Sequence, residues 1–348
     1  MDAKNIIGEL SKAEKIKHWL EKEGKKILVY HRDVDGVCSA ALFLKFFEGF
    51  KRIPREGPVI DTSFFKEVVD NQPKVLVFLD IPVDQEWKKI LSLKEKIPDI
   101  KIAIIDHHLI EKNMNSDDIL HINPMFYGDS YIPASCVVYE LLRNIGFDVK
   151  PFNWIALIGI IGDYGVKDCE WMFEEQKKID DTPHCELIKA SEIIASSITL
   201  KGIKGCEKAL TVLLKSQNYK DFAKSSELKR WNKIVQTEIK RLTKAFEKDK
   251  EFFEEKNVIF FEIKSKMNIT SIIATIVAEK YPNNIIIIRK KSGDKWKISL
   301  RYQKGDINMG NFAKKASEGI GSGGGHVKSA GALVNNWEKF KKRILEML

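Results

Sequence analysis

"KILVYHRDVDGVCSAALFLKFF", residues 26–47, runs from a short apolar stretch into a histidine and two aspartates, and then without a break into a segment of helical period. An extended run that is apolar on both faces and leads into a helix is the first half of a βαβ unit. The alternation recurs outward from it. "PVID" precedes "SFFKEVVDN", "KVLVFLD" precedes "VDQEWKKILSLKEK", "IKIAIID" follows, and "ASCVVYELLRNIG" and "NWIALIGIIGD" come later. The pattern predicts an α/β domain on a parallel sheet.

Beyond about residue 257, "NVIFFEI", "NITSIIATIVAEKY", "NIIIIRK", "WKISLRY", a helix near "NMGNFAKKASEG", a glycine run and "GALVNNWEKFKKRILEML" predict a second, smaller α/β domain. Between the two blocks, Leu228, Trp231, Val235, Ile239, Leu242 and Phe246 recur at spacings of three or four, the signature of a long amphipathic helix. The expected division is 1–195, a helical linker over 196–250, and 251–348. With 348 residues and 44% hydrophobic content, two domains are the better expectation than one.

Composition excludes some classes. The run "WIALIGIIG" (154–162) is about half of the roughly 20 residues that a membrane helix requires, and "MDAKNIIGELSKAEK" is too charged for a secretory signal. A cytoplasmic protein without a membrane partner is expected. Five scattered cysteines, with no C-x-x-C pair, read as buried thiols in a reducing compartment. The formal charge of +9 allows a polyanionic partner without identifying one, and abundant Lys, Glu and Ile also suit a heat-adapted source.

The chemistry lies at the strand ends. His31, Asp33, Asp35, Asp80 and the run Asp106-His107-His108 all follow the carboxyl ends of predicted parallel strands, the edge where open α/β sheets bind ligands. Asp163 follows an apolar run that reads as a helix and can point into the same crevice. Each residue alone has a plain structural reading, as a helix cap or a turn residue. Together, so many carboxylates would repel one another unless positive charge sits among them. That argues for metal. Carboxylates mixed with imidazole, without cysteine, suit Mn²⁺ or Mg²⁺, and histidine favours Mn²⁺. Six candidate ligands exceed one octahedron once water and substrate are counted, so two ions are expected.

The motifs "HRDVDG", "FLDIP", "IDHH" and "IGD", followed by "GSGGGHVKSAGA", resemble the four motifs of a DHH phosphoesterase domain and the glycine-rich signature of its DHH-associated partner domain, in the expected order over about 26–332. The resemblance implies that His31, Asp33 and Asp80 hold one ion, and that Asp35, Asp80, His107 and Asp163 hold the other, with Asp80 as the bridge. It implies that Asp106 orients the imidazole of His107 and that His108 contacts the scissile phosphate. In the second domain, Gly323, Gly324 and Gly325 read as a backbone phosphate nest with His326 as an added donor. Arg301, in "SLRYQ", stands where the family presents an arginine to a substrate phosphate.

The expected reaction is hydrolysis of a phosphodiester by a hydroxide held between the ions, on a strand lying in the cleft between the domains. The expected substrate is a single-stranded DNA or RNA end, as for archaeal RecJ-like exonucleases. Short oligonucleotides and cyclic dinucleotides are the nearer alternative, and a non-catalytic replication scaffold the more distant one. Replication or repair proteins are compatible partners.

Overall fold

The computed structural model describes residue 6 and residues 10–348, apart from 129 and 181. The chain forms two compact units, residues 1–232 and 233–348. Among the described residues, no helix is long and apolar enough to cross a membrane.

The first unit contains α1 (Leu10–Glu21), β1 (Lys26–His31), α2 (Val34–Leu44), β2 (Phe50–Arg55), α3 (Thr62–Asn71), β3 (Val75–Leu79), α4 (Trp87–Lys96), β4 (Lys101–Ile105) and β5 (Ile119–Ile122). There follow α5 (Ala134–Ile145), α6 (Asn153–Gly162), α7 (Glu170–Ile179), α8 (His184–Lys201), α9 (Ile203–Lys215) and α10 (Tyr219–Phe222). The five strands form one fully parallel sheet in the order β2-β1-β3-β4-β5. Side chains alternate across it with the period of two that a pleated strand imposes. Leu28, Tyr30, Val77, Leu79, Ala103 and Ile105 join one core cluster with α2, α5 and α6. Ile27, Val29, Leu76, Phe78, Ile102 and Ile104 join another with α3 and α4. Helices on both faces explain why these strands are apolar throughout.

Two strands differ from the sequence reading. "PVID" is not a strand: the second strand is "FKRIPR", and Asp61 instead caps α3 by accepting the Phe64 N–H at 2.9 Å. β2 is an edge strand with Lys51 and Arg52 exposed, so no apolar run announces it, and Pro54 is tolerated there. β5, only four residues long, also escaped the pattern.

Helix α11 (Ser226–Asp249) begins in the first unit and continues into the second. Within 196–225, α9 and α10 carry Cys206, Ala209, Leu210, Leu213 and Phe222 into the core of the first unit. The second unit adds β6 (Glu251–Phe253), β7 (Val258–Glu262), α12 (Thr270–Lys280), β8 (Ile285–Ser292), β9 (Lys295–Arg301), α13 (Met309–Ser317), β10 (Gly321–Gly325), β11 (Ser329–Val334) and α14 (Trp337–Met347). Its sheet is mixed, in the order β10-β11-β9-β8-β7-β6, with β7 and β8 parallel. Leu242 and Phe246 of α11 pack with α12 on one face, and α13 and α14 cover the other.

Glu140 of α5 is a buried carboxylate with no exposed side-chain surface. Its Oε2 accepts from Arg143 at 2.5 Å, while its Oε1 has no hydrogen-bond partner among the described residues. Burial, against the pull of Arg143, pushes its pKa up to about 7. A carboxylate raised in the folded state costs stability where the unfolded chain has already ionised, from about pH 4.5 upward, and the cost is complete above pH 7. Glu140→Gln should therefore raise the melting temperature at pH 8, by about 1–3 kcal/mol of stability, with little change near pH 4.5. A variant less stable than the parent at pH 8 would contradict this.

Candidate metal centre

The order β2-β1-β3 reverses direction at β1, so the carboxyl ends of β1 and β3 flank a topological switch point, where such sheets open a crevice. His31 ends β1, and Asp33 caps α2 through Oδ1, which accepts the Gly36 N–H at 2.8 Å. The other oxygen of Asp33 lies 2.7 Å from His31 Nδ1. Gly36 is required by packing, because a Cβ there would sit 2.3 Å from the carbonyl oxygen of His31. Asp80 follows β3 with φ of 60°, in the left-handed region. This costs a non-glycine residue roughly 1–2 kcal/mol. Its N–H still donates to Ile105 O at 2.9 Å, so the sheet holds the strained turn in place.

The carboxylate of Asp80 is 2% exposed and lies among three imidazoles. Oδ2 is 3.4 Å from His31 Nδ1, and Oδ1 is 3.3 Å from His107 Nε2 and 4.0 Å from His108 Nδ1. Asp163, the cap residue ending α6, places Oδ2 3.4 Å from His107 Nε2. Asp35 is 1% exposed and accepts the N–H groups of Ala134 and Ser135 at 2.7 and 3.1 Å, so it caps α5 from across the fold. Three ligand sets result, each with donor atoms within 4.8 Å of one another: His31, Asp33 and Asp80; Asp35, His107 and Asp163; and Asp80, His107 and His108.

One assignment needs correction. Asp106 does not orient His107: its Oδ1 lies 2.8 Å from Nδ1 of His108. The chain bends after β4, where the Asp106 carboxylate also accepts the backbone N–H of His108 at 3.3 Å, and this brings the two side chains together. His107 Nδ1 has no partner among the described residues. With Nδ1 held by Asp106, the ring of His108 remains part-exposed.

The electrostatics ask for cations. Burial, reinforced by Asp80 and Asp163, drives the pKa of Asp35 well up, and burial lifts Asp163 to about 6. Burial alone would lower the two histidines, yet Asp33 and Asp80 raise His31 to about 11, and Asp80 raises His107 to about 10. Carboxylates crowded at low dielectric draw positive charge in against its desolvation. Asp80 Oδ2 is buried and makes no well-aligned hydrogen bond, its neighbour being His31 Nδ1 at 3.4 Å, as a ligand atom awaiting an ion would be. The donors fit divalent manganese or magnesium in chemistry as well as in placement.

Three supports went unnoticed in the sequence. Tyr131 donates its hydroxyl to Asp163 Oδ2 at 2.7 Å, and its ring meets His107 edge-on at 5.2 Å. Nothing in "SYIP" marks it. The backbone of Ala134 and Ser135 is invisible to pattern reading. Gly159 did carry a signal, as a glycine inside an apolar helix: a Cβ there would lie 2.6 Å from Asp35 Oδ1.

In the second unit, Arg301 ends β9 and donates through Nη2 to Ser271 Oγ at 2.6 Å and through Nε to Thr275 Oγ1 at 3.2 Å. Arg301 and Gly325 line a common cavity of about 490 Å³ with Lys297 and Ser299, whereas Gly323 lines a different one with Lys314 and Lys315. Gly324 and His326 are exposed. The glycine run is not a nest: residues 321–325 form edge strand β10, in which successive N–H groups alternate in direction. Close packing explains the glycines. A Cβ on Gly323 would lie 2.6 Å from Ala313 O, and one on Gly310 of α13 would lie 2.1 Å from Gly325 O.

The family model for the DHH family, N-terminal domain, matches residues 25–160, and that for the DHHA1 domain matches residues 255–348. The chain is a DHH superfamily protein. No curated protein matches it by sequence. Solved structures share the fold of this DHH chain. An exonuclease RecJ bound to manganese superposes with a TM-score of 0.75 at 16% identity, over 100% of this chain and 96% of the other. CDC45 from Entamoeba histolytica gives 0.63 at 13% identity, over 97% and 98%. The pGpG-specific phosphodiesterase PggH from Vibrio cholerae gives 0.54 at 12%, over 93% and 97%. At these identities the likeness is one of fold.

Mn²⁺ binding should release protons, since His31 and His107, with values near 11 and 10, carry at pH 7.5 protons that ligand nitrogens must give up. Calorimetric titration in two buffers of different ionisation enthalpy should show more than one proton released per chain. Asp80→Asn should remove most of the binding heat. Binding without proton release would contradict the assignment of imidazole ligands.

Proposed function

We propose that this DHH protein is a two-metal phosphodiesterase, with Mn²⁺ preferred and Mg²⁺ accepted, acting as a RecJ-like single-strand exonuclease on DNA, RNA or both. The observation that carries the reading is the convergence of three ligand sets on the shared residues Asp80 and His107 at the switch point of the sheet. A replication scaffold with no catalysis has no need of a buried, strained carboxylate surrounded by imidazoles; the sequence keeps all six proposed ligand residues.

Bound there, divalent ions would supply an activated water and neutralise charge developing on the phosphate. The residues of the chain then divide the remaining work. His31 and Asp33 would hold one ion; Asp35, His107 and Asp163 would hold the other; Asp80 would touch both. His108, aligned by Asp106, whose carboxylate raises its pKa against the pull of burial, would donate to a non-bridging oxygen of the scissile phosphate. Asp106 thereby acts as a positioning residue. Tyr131 fixes the carboxylate of Asp163 in one rotamer. In the second unit, Arg301 would bind a neighbouring phosphate with the fork of its guanidinium, pre-set by Ser271 and Thr275. Gly323, Gly324, Gly325 and His326 would border that strand.

End-labelled single strands from two to thirty nucleotides, as DNA and as RNA, test this in Mn²⁺. The wild-type chain should digest long strands to a ladder of short products. Asp80→Ala should lose at least 1,000-fold in rate, about 4 kcal/mol of barrier, while keeping its circular dichroism spectrum. Activity confined to substrates of a few nucleotides would replace the exonuclease with an oligonucleotide or cyclic-dinucleotide phosphodiesterase. Wild-type rates in Asp80→Ala would remove the two-metal account.

A further inference from the structure

Helix α11 turns Val235, Leu242 and Phe246 into the protein, and each is buried. Lys233, Lys240, Lys244 and Lys248 are exposed. At 3.6 residues per turn these four lysines fall within about 80° of one another, opposite the buried residues, and extend over about 22 Å of helix axis. Lys229 and Arg230, also exposed, prolong the stripe toward the helix start. Beside it, Arg241 donates to the Lys264 carbonyl at 2.8 Å, which brings the exposed Lys264 and Lys266 of the loop after β7 alongside.

Among the described residues, none of Lys233, Lys240, Lys244 and Lys248 has an ion-pair partner. Three of the four acids of the helix are committed elsewhere, Glu227 to Lys208 among them, and the fourth, Asp249, ends the helix away from the lysine stripe. Glu238 pairs with Arg241 at 2.7 Å, and Glu247 with Lys250 at 2.7 Å, with Lys280 and with the hydroxyl of Tyr281. Some surface lysines on other helices are paired along the helix: Lys177 with Glu174, Lys189 with Glu186 and Lys342 with Glu346. A surface charged only for heat resistance is built from such pairs. On α11 the lysines instead stand four apart from one another, at 240, 244 and 248, an arrangement that costs a few tenths of a kcal/mol per pair.

We infer that the outer face of α11 is a binding track for the phosphodiester backbone of a nucleic-acid strand, separate from the metal centre and from Arg301. Four lysines in a row offer point charges to an extended polyanion. At the edge of this face the exposed Ile234 stands alone, without the cluster of aromatic or aliphatic anchors on which protein partners depend, and Thr237 is the uncharged residue in the middle of the stripe. The inference deepens the proposed exonuclease reading, since it supplies a hold on strands longer than those that the site itself encloses, and it rests on that reading for the identity of the strand.

The test is a salt titration of binding. A fluorescent thirty-nucleotide oligo(dT) is titrated in EDTA, by anisotropy, with the full chain and with a variant in which Lys233, Lys240, Lys244 and Lys248 are all replaced by Gln. Hydrolysis of a dinucleotide in Mn²⁺ is measured in parallel. Four lost phosphate contacts should make the slope of log K against log[salt] shallower by about 3, with dinucleotide hydrolysis unchanged. Replacing the same four lysines by Arg should restore the wild-type slope, which separates a lost charge from a damaged fold. An unchanged slope in the Gln variant overturns the track and leaves a solvated face or an acidic protein partner. A changed slope in a chain that hydrolyses nothing would keep the track and overturn the exonuclease.

Discussion

Several carboxylates brought together at one buried edge of a sheet form the constraint around which the first unit is organised. Burial, with Asp80 and Asp163 close by, pushes Asp35 well above the usual carboxylate range, and Asp80 itself is only 2% exposed. The fold surrounds it with His31, His107 and His108 and accepts a left-handed backbone to aim it. Other features follow from the same demand. Asp35 is steadied by the first N–H groups of α5, and Asp163 by Tyr131. Gly36 and Gly159 keep side-chain volume away from His31 and Asp35. A site of this kind is unfavourable for stability alone and explicable if cations complete it.

Much of this was legible in the sequence, for definite reasons. β1, β3 and β4 are covered on both faces, so their apolar runs stand out, and the ligands follow those runs directly. A strand end fixes where the next side chain goes. The amphipathic period over 228–246 likewise marked a helix, since one of its faces has to be buried. What escaped was structure without a compositional signature. β2 is an exposed edge strand containing Pro54, and β5 spans four residues. The support of Asp35 comes from backbone atoms, and that of Asp163 from a tyrosine 32 residues away.

Two errors are instructive because the right residues led to the wrong geometry. Asp106 was read as the partner of its immediate neighbour, yet its carboxylate accepts the N–H of His108 in a bend after the strand, and the imidazole it meets is that of His108. The glycine run was read as a nest because glycine permits one. Glycine equally permits close packing: α13 lies so near β10 that Gly310 and Gly323 leave no room for a Cβ, and Gly325 is crowded by Ser329 and Ala330 of β11. Composition alone does not separate those two uses of glycine.

The central claim is that two divalent ions share the carboxylate of Asp80. Crystals grown with Mn²⁺ and measured at the manganese absorption edge test it directly. The account predicts two anomalous peaks per chain, one bordered by His31 and Asp33, the other by Asp35, His107 and Asp163, with Asp80 touching both. A single peak, or two peaks of which one is out of reach of Asp80, would contradict it.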